Sequence, residues 1–127
     1  MNNQFTIGDL VKFIIANRNK GCRTFYESSI KSLSIMVEEY SKDNRIAFAT
    51  NNDNKIVGVV CVKPFHDEKT LFVENIICKE KWVLKNFIQR MIRLYPNYTI
   101  LSEKRNKFRI HNTPKLINKI LCQVQAQ

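Results

Sequence analysis

The chain of 127 residues predicts an α+β fold built on an antiparallel meander. Two observations carry that expectation. Between Arg45 and Cys78 the runs RIAFAT, IVGVVCVKPF and TLFVENIIC are rich in β-branched and aromatic residues, and the turn-forming letters NNDNK and HDEK separate them. Such runs punctuated by such letters mark consecutive hairpins. Directly after the third run, KEKWVLKNFIQRMIRLYP changes from a period of two to a period of 3.6, which is the mark of an amphipathic helix.

The elements follow in chain order. Thr6 is placed to cap a first helix in which Ile7, Leu10, Val11, Ile14 and Ile15 share a face, ending near Arg18. Residues Asn19 to Thr24, with Gly21 among them, read as a loop. A second helix is expected from Tyr26 to Ser41, with Tyr26, Ile30, Leu33, Met36, Val37 and Tyr40 on one face and Lys31, Glu38 and Glu39 toward water. The polar break Ser41–Asn44 precedes the three strands of the meander. On the helix from Lys79 to Tyr95, an apolar half holds Val83, Leu84, Phe87, Ile88, Met91, Ile92, Leu94 and Tyr95. Lys85, Asn86, Gln89, Arg90 and Arg93 form the polar half, and Pro96 ends the helix because it cannot extend the hydrogen-bond ladder. YTILSE then reads as a fourth strand, KRNK as a turn and FRIHN as a short fifth strand. Thr113 and Pro114 open a final short helix carrying Leu116, Ile117, Ile120 and Leu121, with QVQAQ frayed beyond it.

Composition sets the outer bounds. A chain of this length with 44% hydrophobic residues makes one domain with a single modest core. Its parts are a helical N-terminal portion (1–44), a sheet with a central helix (45–104) and a basic C-terminal portion (105–127). No apolar run approaches the roughly 20 residues that span a bilayer, so no membrane partner is expected. MNNQFTIGDL lacks the basic start and apolar block of a secretory signal, which points to the cytoplasm. Cys22, Cys61, Cys78 and Cys122 form no CxxC pair and have no nearby histidine, so no metal site is expected and the thiols read as reduced and structural.

The net charge is +10, and its placement is uneven. Residues 79–127 carry 11 basic and 2 acidic side chains, hence +9, while residues 1–78 carry 10 and 9, hence +1. A basic surface of that kind draws an acidic protein, a phosphorylated cofactor or nucleic acid, or serves only solubility. The candidates for such a face are Lys85, Arg90, Arg93, Lys104, Arg105, Lys107 and Arg109. No nucleic-acid signature motif accompanies them. His66, beside Asp67 and Glu68, reads as an exposed turn residue, and His111 has no evident carboxylate partner. No spacing supports a Ser/His/Asp or Cys/His arrangement. Trp82 reads as a packing anchor, and Tyr95 and Tyr98 as residues at the edge of the core.

From Tyr26 to about Ser102 the order of elements resembles the GNAT superfamily of N-acetyltransferases. DNRIAFATNNDNKIVGVVCV is similar to that family's hairpin with its I-x-G-x-x segment. FVENIICKEKWVLKN is similar to the stretch leading from the central strand into the cofactor loop. The resemblance implies a mixed sheet with helices on both faces. For an active enzyme it implies acetyl-CoA as cofactor, held around Ile77, Cys78, Lys79, Lys85 and Asn86, and Glu74 as general base. The alternative for Glu74 is a solvated carboxylate paired with a neighbouring lysine. The chain departs from the family at one place: Val83, Asn86 and Ile88 stand where the R/Q-x-x-G-x-G/A loop has Arg or Gln, Gly, and Gly or Ala. Bare amides must approach the pyrophosphate there, and side chains obstruct them. The expectation is therefore a degenerate site without cofactor, in a non-catalytic protein that binds another protein. The abundance of Asn, Ile and Lys, which fits AT-rich coding DNA, and the resemblance to degenerate members of the family among phage virion proteins suggest a phage origin, in the host cytoplasm or the virion. An active acetyltransferase and a small basic nucleic-acid-binding module are the alternatives.

Overall fold

Branched and aromatic runs become strands wherever turn letters bound them. In the computed structural model, which describes residues 5–19, 25–26, 28–104 and 107–111, these strands are β1 (Ile46–Thr50), β2 (Ile56–Phe65), β3 (Thr70–Cys78), β4 (Thr99–Lys104) and β5 (Lys107–Ile110). They lie in that order in one sheet. β1, β2 and β3 are mutually antiparallel, β4 runs parallel to β3, and β5 is antiparallel to β4, so the sheet is mixed. Side chains set the turns. Asn51 Oδ1 accepts from the amides of Asp53 and Lys55, both at 3.0 Å, and Asn54 takes a left-handed φ of 59° that asparagine tolerates. Lys69 closes the next turn with φ 48°, its amide 3.2 Å from the His66 carbonyl.

Three helices are described: α1 (Ile7–Asn17), α2 (Ile30–Lys42) and α3 (Lys81–Leu94). Thr6 caps α1 as the sequence predicts, and it does so reciprocally. Its hydroxyl accepts from Asp9 N at 3.1 Å, and its own amide donates to Asp9 Oδ2 at 2.9 Å. The backbone and hydroxyl of Thr6 hold the Asp9 carboxyl below its ordinary range.

The second helix corrects the sequence reading. It begins at Ile30 rather than Tyr26, because the Ser29 hydroxyl accepts the Ser32 amide at 3.1 Å and caps it there. Tyr26 and Ile30 are consequently exposed, and Phe25 fills the core in their place. Helix α3 is one turn's fraction shorter than Lys79–Tyr95, with Glu80 and Tyr95 at its caps. Val83, Phe87, Ile88 and Met91 are buried as expected, whereas Leu84 and Leu94 are exposed. The Trp82 ring is exposed as well, its Nε1 donating to the Glu80 carboxylate, so it is not the packing anchor expected of it. Tyr95 and Tyr98 are half-buried at the edge of the core. The predicted loop at Asn19–Thr24 lies outside the described residues except for Asn19, and so does the predicted helix from Thr113.

The sheet separates two clusters of buried side chains. On one face α3 packs through Val83, Phe87, Ile88 and Met91 onto Val57, Val60, Val62, Leu71, Val73 and Ile100. On the other, α1 and α2 pack Leu10, Val11, Ile14, Leu33 and Val37 onto Val59, Cys61 and Ile77. Helices therefore cover both faces. Gly58 permits the close approach of α3: a Cβ there would lie 2.3 Å from Val83 Cγ1 and 3.1 Å from Phe87 Cε2.

Candidate functional site

Two clefts and one polar cluster hold Glu74, Ile77, Cys78, Lys79, Arg90 and Arg93 among the residues that the sequence singles out. The polar cluster centres on Glu74. Opposite β2, Cys61 faces Asn75 but Val62 faces Val73, so Glu74 is the extra residue of a β-bulge in β3. The bulge aims Glu74 at the α1/α2 layer. Its carboxylate accepts from Tyr40 Oη at 2.8 Å and forms an ion pair with the Arg45 guanidinium. Arg45 also donates from Nε to the Val62 carbonyl at 2.9 Å and lies 4.2 Å from the Tyr40 ring centroid. The partner is thus an arginine and a tyrosine, not the neighbouring lysine of the sequence alternative. Lysines near β3 in sequence lie at exposed turn positions, while α2 and the start of β1 bring Tyr40 and Arg45 onto the bulge. Burial of Tyr40, and then its hydrogen bond to Glu74, push the phenol up to about 12. Next to this cluster, Asn75 is buried, and neither its Oδ1 nor its Nδ2 has a hydrogen-bond partner among the described residues.

The first cleft lies where β3 runs into α3. It measures about 410 Å³ and is lined by Asn17, Asn19, Ile76, Ile77, Cys78, Lys79 and Leu84. Three of the residues that the resemblance assigns to the cofactor, Ile77, Cys78 and Lys79, therefore meet here. Lys85 and Asn86 do not line it; both are half-buried farther along α3. The parallel ladder between β3 and β4 covers Thr70–Val73 against Thr99–Ser102, and β3 runs on to Cys78 beside the cleft. Glu80, the residue after Lys79, is the N-cap of α3 and gives its own helix no side-chain cap bond.

The second cleft, about 350 Å³, lies between the C-terminal half of α3 and the β1 edge of the sheet. Ala47, Val60, Val62, Phe87 and Met91 contribute an apolar floor, and Arg90 and Arg93 stand over it. Arg90 is half-buried and donates from Nη1 to the Phe48 carbonyl at 3.2 Å; Arg93 is exposed. The helical wheel identifies both arginines as polar-face residues. It cannot identify the cleft, which depends on a small residue of β1, Ala47, beneath the C-terminal half of α3.

The remaining candidates are dispersed. Lys104 and Lys107 pair across the β4–β5 hairpin, where Arg109 faces Ser102 in register. The side chains of Lys104, Lys107 and Arg109, and Arg105 altogether, lie outside the described residues. His66 is exposed in its turn as predicted, yet its Nδ1 is 2.5 Å from Tyr98 Oη. Ser102 Oγ and His111 Nε2 are also 2.5 Å apart, a pairing across two strands that spacing alone does not reveal. Among the described residues no group of three or more His, Cys, Asp or Glu side chains is placed to hold a metal ion, and no helix is long and apolar enough to cross a membrane. Comparison of the chain with protein families, curated proteins and solved structures finds no match.

Proposed function

We propose that this chain is a GNAT-like scaffold that has lost acetyl transfer and works by binding another protein, in the host cytoplasm or the virion of a phage. The observation that carries the loss of catalysis is the state of Glu74. A general base needs a carboxylate that can turn to the amine and take its proton. Glu74 is instead held by the Arg45 guanidinium and the Tyr40 hydroxyl, contacts that tie α2 and the start of β1 to β3, so it is not free to turn to an amine.

The start of α3 supports the same reading. A diphosphate needs open amides and a favourable field at a helix N-terminus. Glu80 puts a carboxylate at that terminus. Asn86 and Ile88, which the resemblance sets in place of the family's small loop residues, lie inside α3 and not at its N-terminus, so no glycine-rich loop precedes the helix there. Losing two or three charge-assisted hydrogen bonds, at roughly 1.5–3 kcal/mol each, moves a micromolar site toward millimolar or beyond.

Calorimetric titration of acetyl-CoA at physiological salt, with ATP as a polyanion control, tests the proposal. Equal, weak signals that vanish with added salt are the expected result. Tight binding of acetyl-CoA and not ATP would overturn it in favour of an active acetyltransferase. The observation on the side of that second reading is the cleft at Ile77, Cys78 and Lys79.

A further inference from the structure

We propose that the cleft between α3 and β1 docks an acidic segment of another protein, one large apolar side chain entering the cleft and flanking carboxylates meeting Arg90 and Arg93. The inference rests on the binding role proposed above and names its site and the chemistry of its partner.

The cleft exists because the chain places small residues under an incomplete roof. α3 packs over β2, β3 and Ile100 of β4, while β1 offers only the methyl groups of Ala47 and Ala49 to that face. The opposite face of β1, by contrast, carries Ile46 and Phe48 against α1 and α2. About 350 Å³ of apolar space results, enough to receive a buried anchor side chain. Leu94, 72% exposed at the end of α3, extends the apolar surface out of the cleft.

The charges around this space differ in availability. Arg45 also lines the cleft, but Glu74 neutralises it. Arg90 and Arg93 have no carboxylate partner among the described residues. Arg90 is held in place by the Phe48 carbonyl, which lowers the entropy lost when it meets an anion. An apolar pocket beside positioned arginines is the composition of an interface hot spot.

Charge complementarity decides the occupant. With a net charge of +10, a second copy of the chain is repelled and an acidic partner is steered in. Nucleic acid suits the site poorly. Phosphates gain nothing from the aliphatic floor, and Phe87, 1% exposed, presents no face on which a base could stack.

The test uses the full chain and a displayed random-peptide library. Selected peptides are synthesised and titrated by fluorescence anisotropy against the wild type, Arg93→Glu and Ala47→Leu. Arg93→Glu changes an exposed charge and Ala47→Leu fills the cleft. The expected result is a shared aromatic or large aliphatic residue flanked by Asp or Glu, bound at least about tenfold more weakly by each variant. Melting curves establish that each variant is folded, and Arg93→Glu carries the test alone should Ala47→Leu not be. Failure to select any peptide, selected peptides without carboxylates, equal affinity for wild type and Arg93→Glu, or displacement by a single-stranded DNA oligonucleotide would each overturn the proposal. Those outcomes are separable from a failure of the non-catalytic reading, since acetyl-CoA would be met at the other cleft, which neither substitution touches.

Discussion

A methyl group added at Gly58 would meet Val83 Cγ1 at 2.3 Å, nearer than two carbons can approach, so α3 would have to lift from the sheet. Gly58→Ala is expected to destabilise the fold by about 1–3 kcal/mol in urea unfolding, the usual cost of overpacking a core. Glu74 permits a sharper distinction. As a solvated carboxylate its replacement by Gln would be close to neutral, whereas breaking its pairing with Arg45 and Tyr40 should cost about 1.5–3 kcal/mol. Tyr40 adds a pH signature. Its folded phenol is raised to about 12, against about 10 when unfolded, so the neutral form favours the fold. That stability is fully present below about pH 10 and is lost as pH rises through about 12. Denaturation midpoints across this window should fall in the wild type and less steeply in Tyr40→Phe, and alkaline absorbance titration should lose its latest-ionising tyrosine in the variant. The sequence marks Gly58 and Glu74 as positions of interest, but not the reasons. Those depend on Val83, Arg45 and Tyr40, which the chain brings close only when the sheet closes between two helix layers.

Elements were legible to the extent that local chemistry fixes their ends. Thr6, Asn51, Asn54 and Pro96 act within a few residues of themselves, and the boundaries they set agree with the sequence reading. The start of α2 is not legible in the pattern because Tyr26 and Ile30 continue the 3.6-residue period of Leu33 and Val37, while the Ser29 cap that interrupts it is a quieter signal. Two predictions test elements directly. Thr6→Ala removes the hydroxyl half of a reciprocal cap and should cost about 1 kcal/mol, with amide exchange in the first turn of α1 accelerating before the rest of the helix. Phe87→Ala should cost about 3–5 kcal/mol, since the ring is 1% exposed at the centre of the contact between α3 and the sheet. A loss well under 1 kcal/mol would mean that this face of α3 does not anchor it.

For the whole molecule, the meander and the helix after it were readable because each joins neighbours in sequence; the parallel return of β4 onto β3 and the cleft over β1 are products of three-dimensional closure. Charge is the property that composition predicts best at this scale, and it sets two effects against each other. A chain of net charge +10 repels itself when compact, and salt relieves that repulsion. Ion pairs work the other way, because salt weakens them. Among the described residues there are two: Lys42–Glu38, whose side chains are 72% and 55% exposed, and the sheltered Arg45–Glu74. The first contributes little and the second is poorly screened. Self-repulsion should therefore prevail, and the melting temperature should rise between about 0.01 and 0.15 M sodium chloride as the screening length shortens from about 30 to 8 Å. The rise should be smaller in Arg90→Gln/Arg93→Gln, which removes two positive charges from the part of the chain that carries +9. A melting temperature that falls with salt would instead assign the balance to attractive pairs, and would weaken the case that this surface is kept basic for an acidic partner.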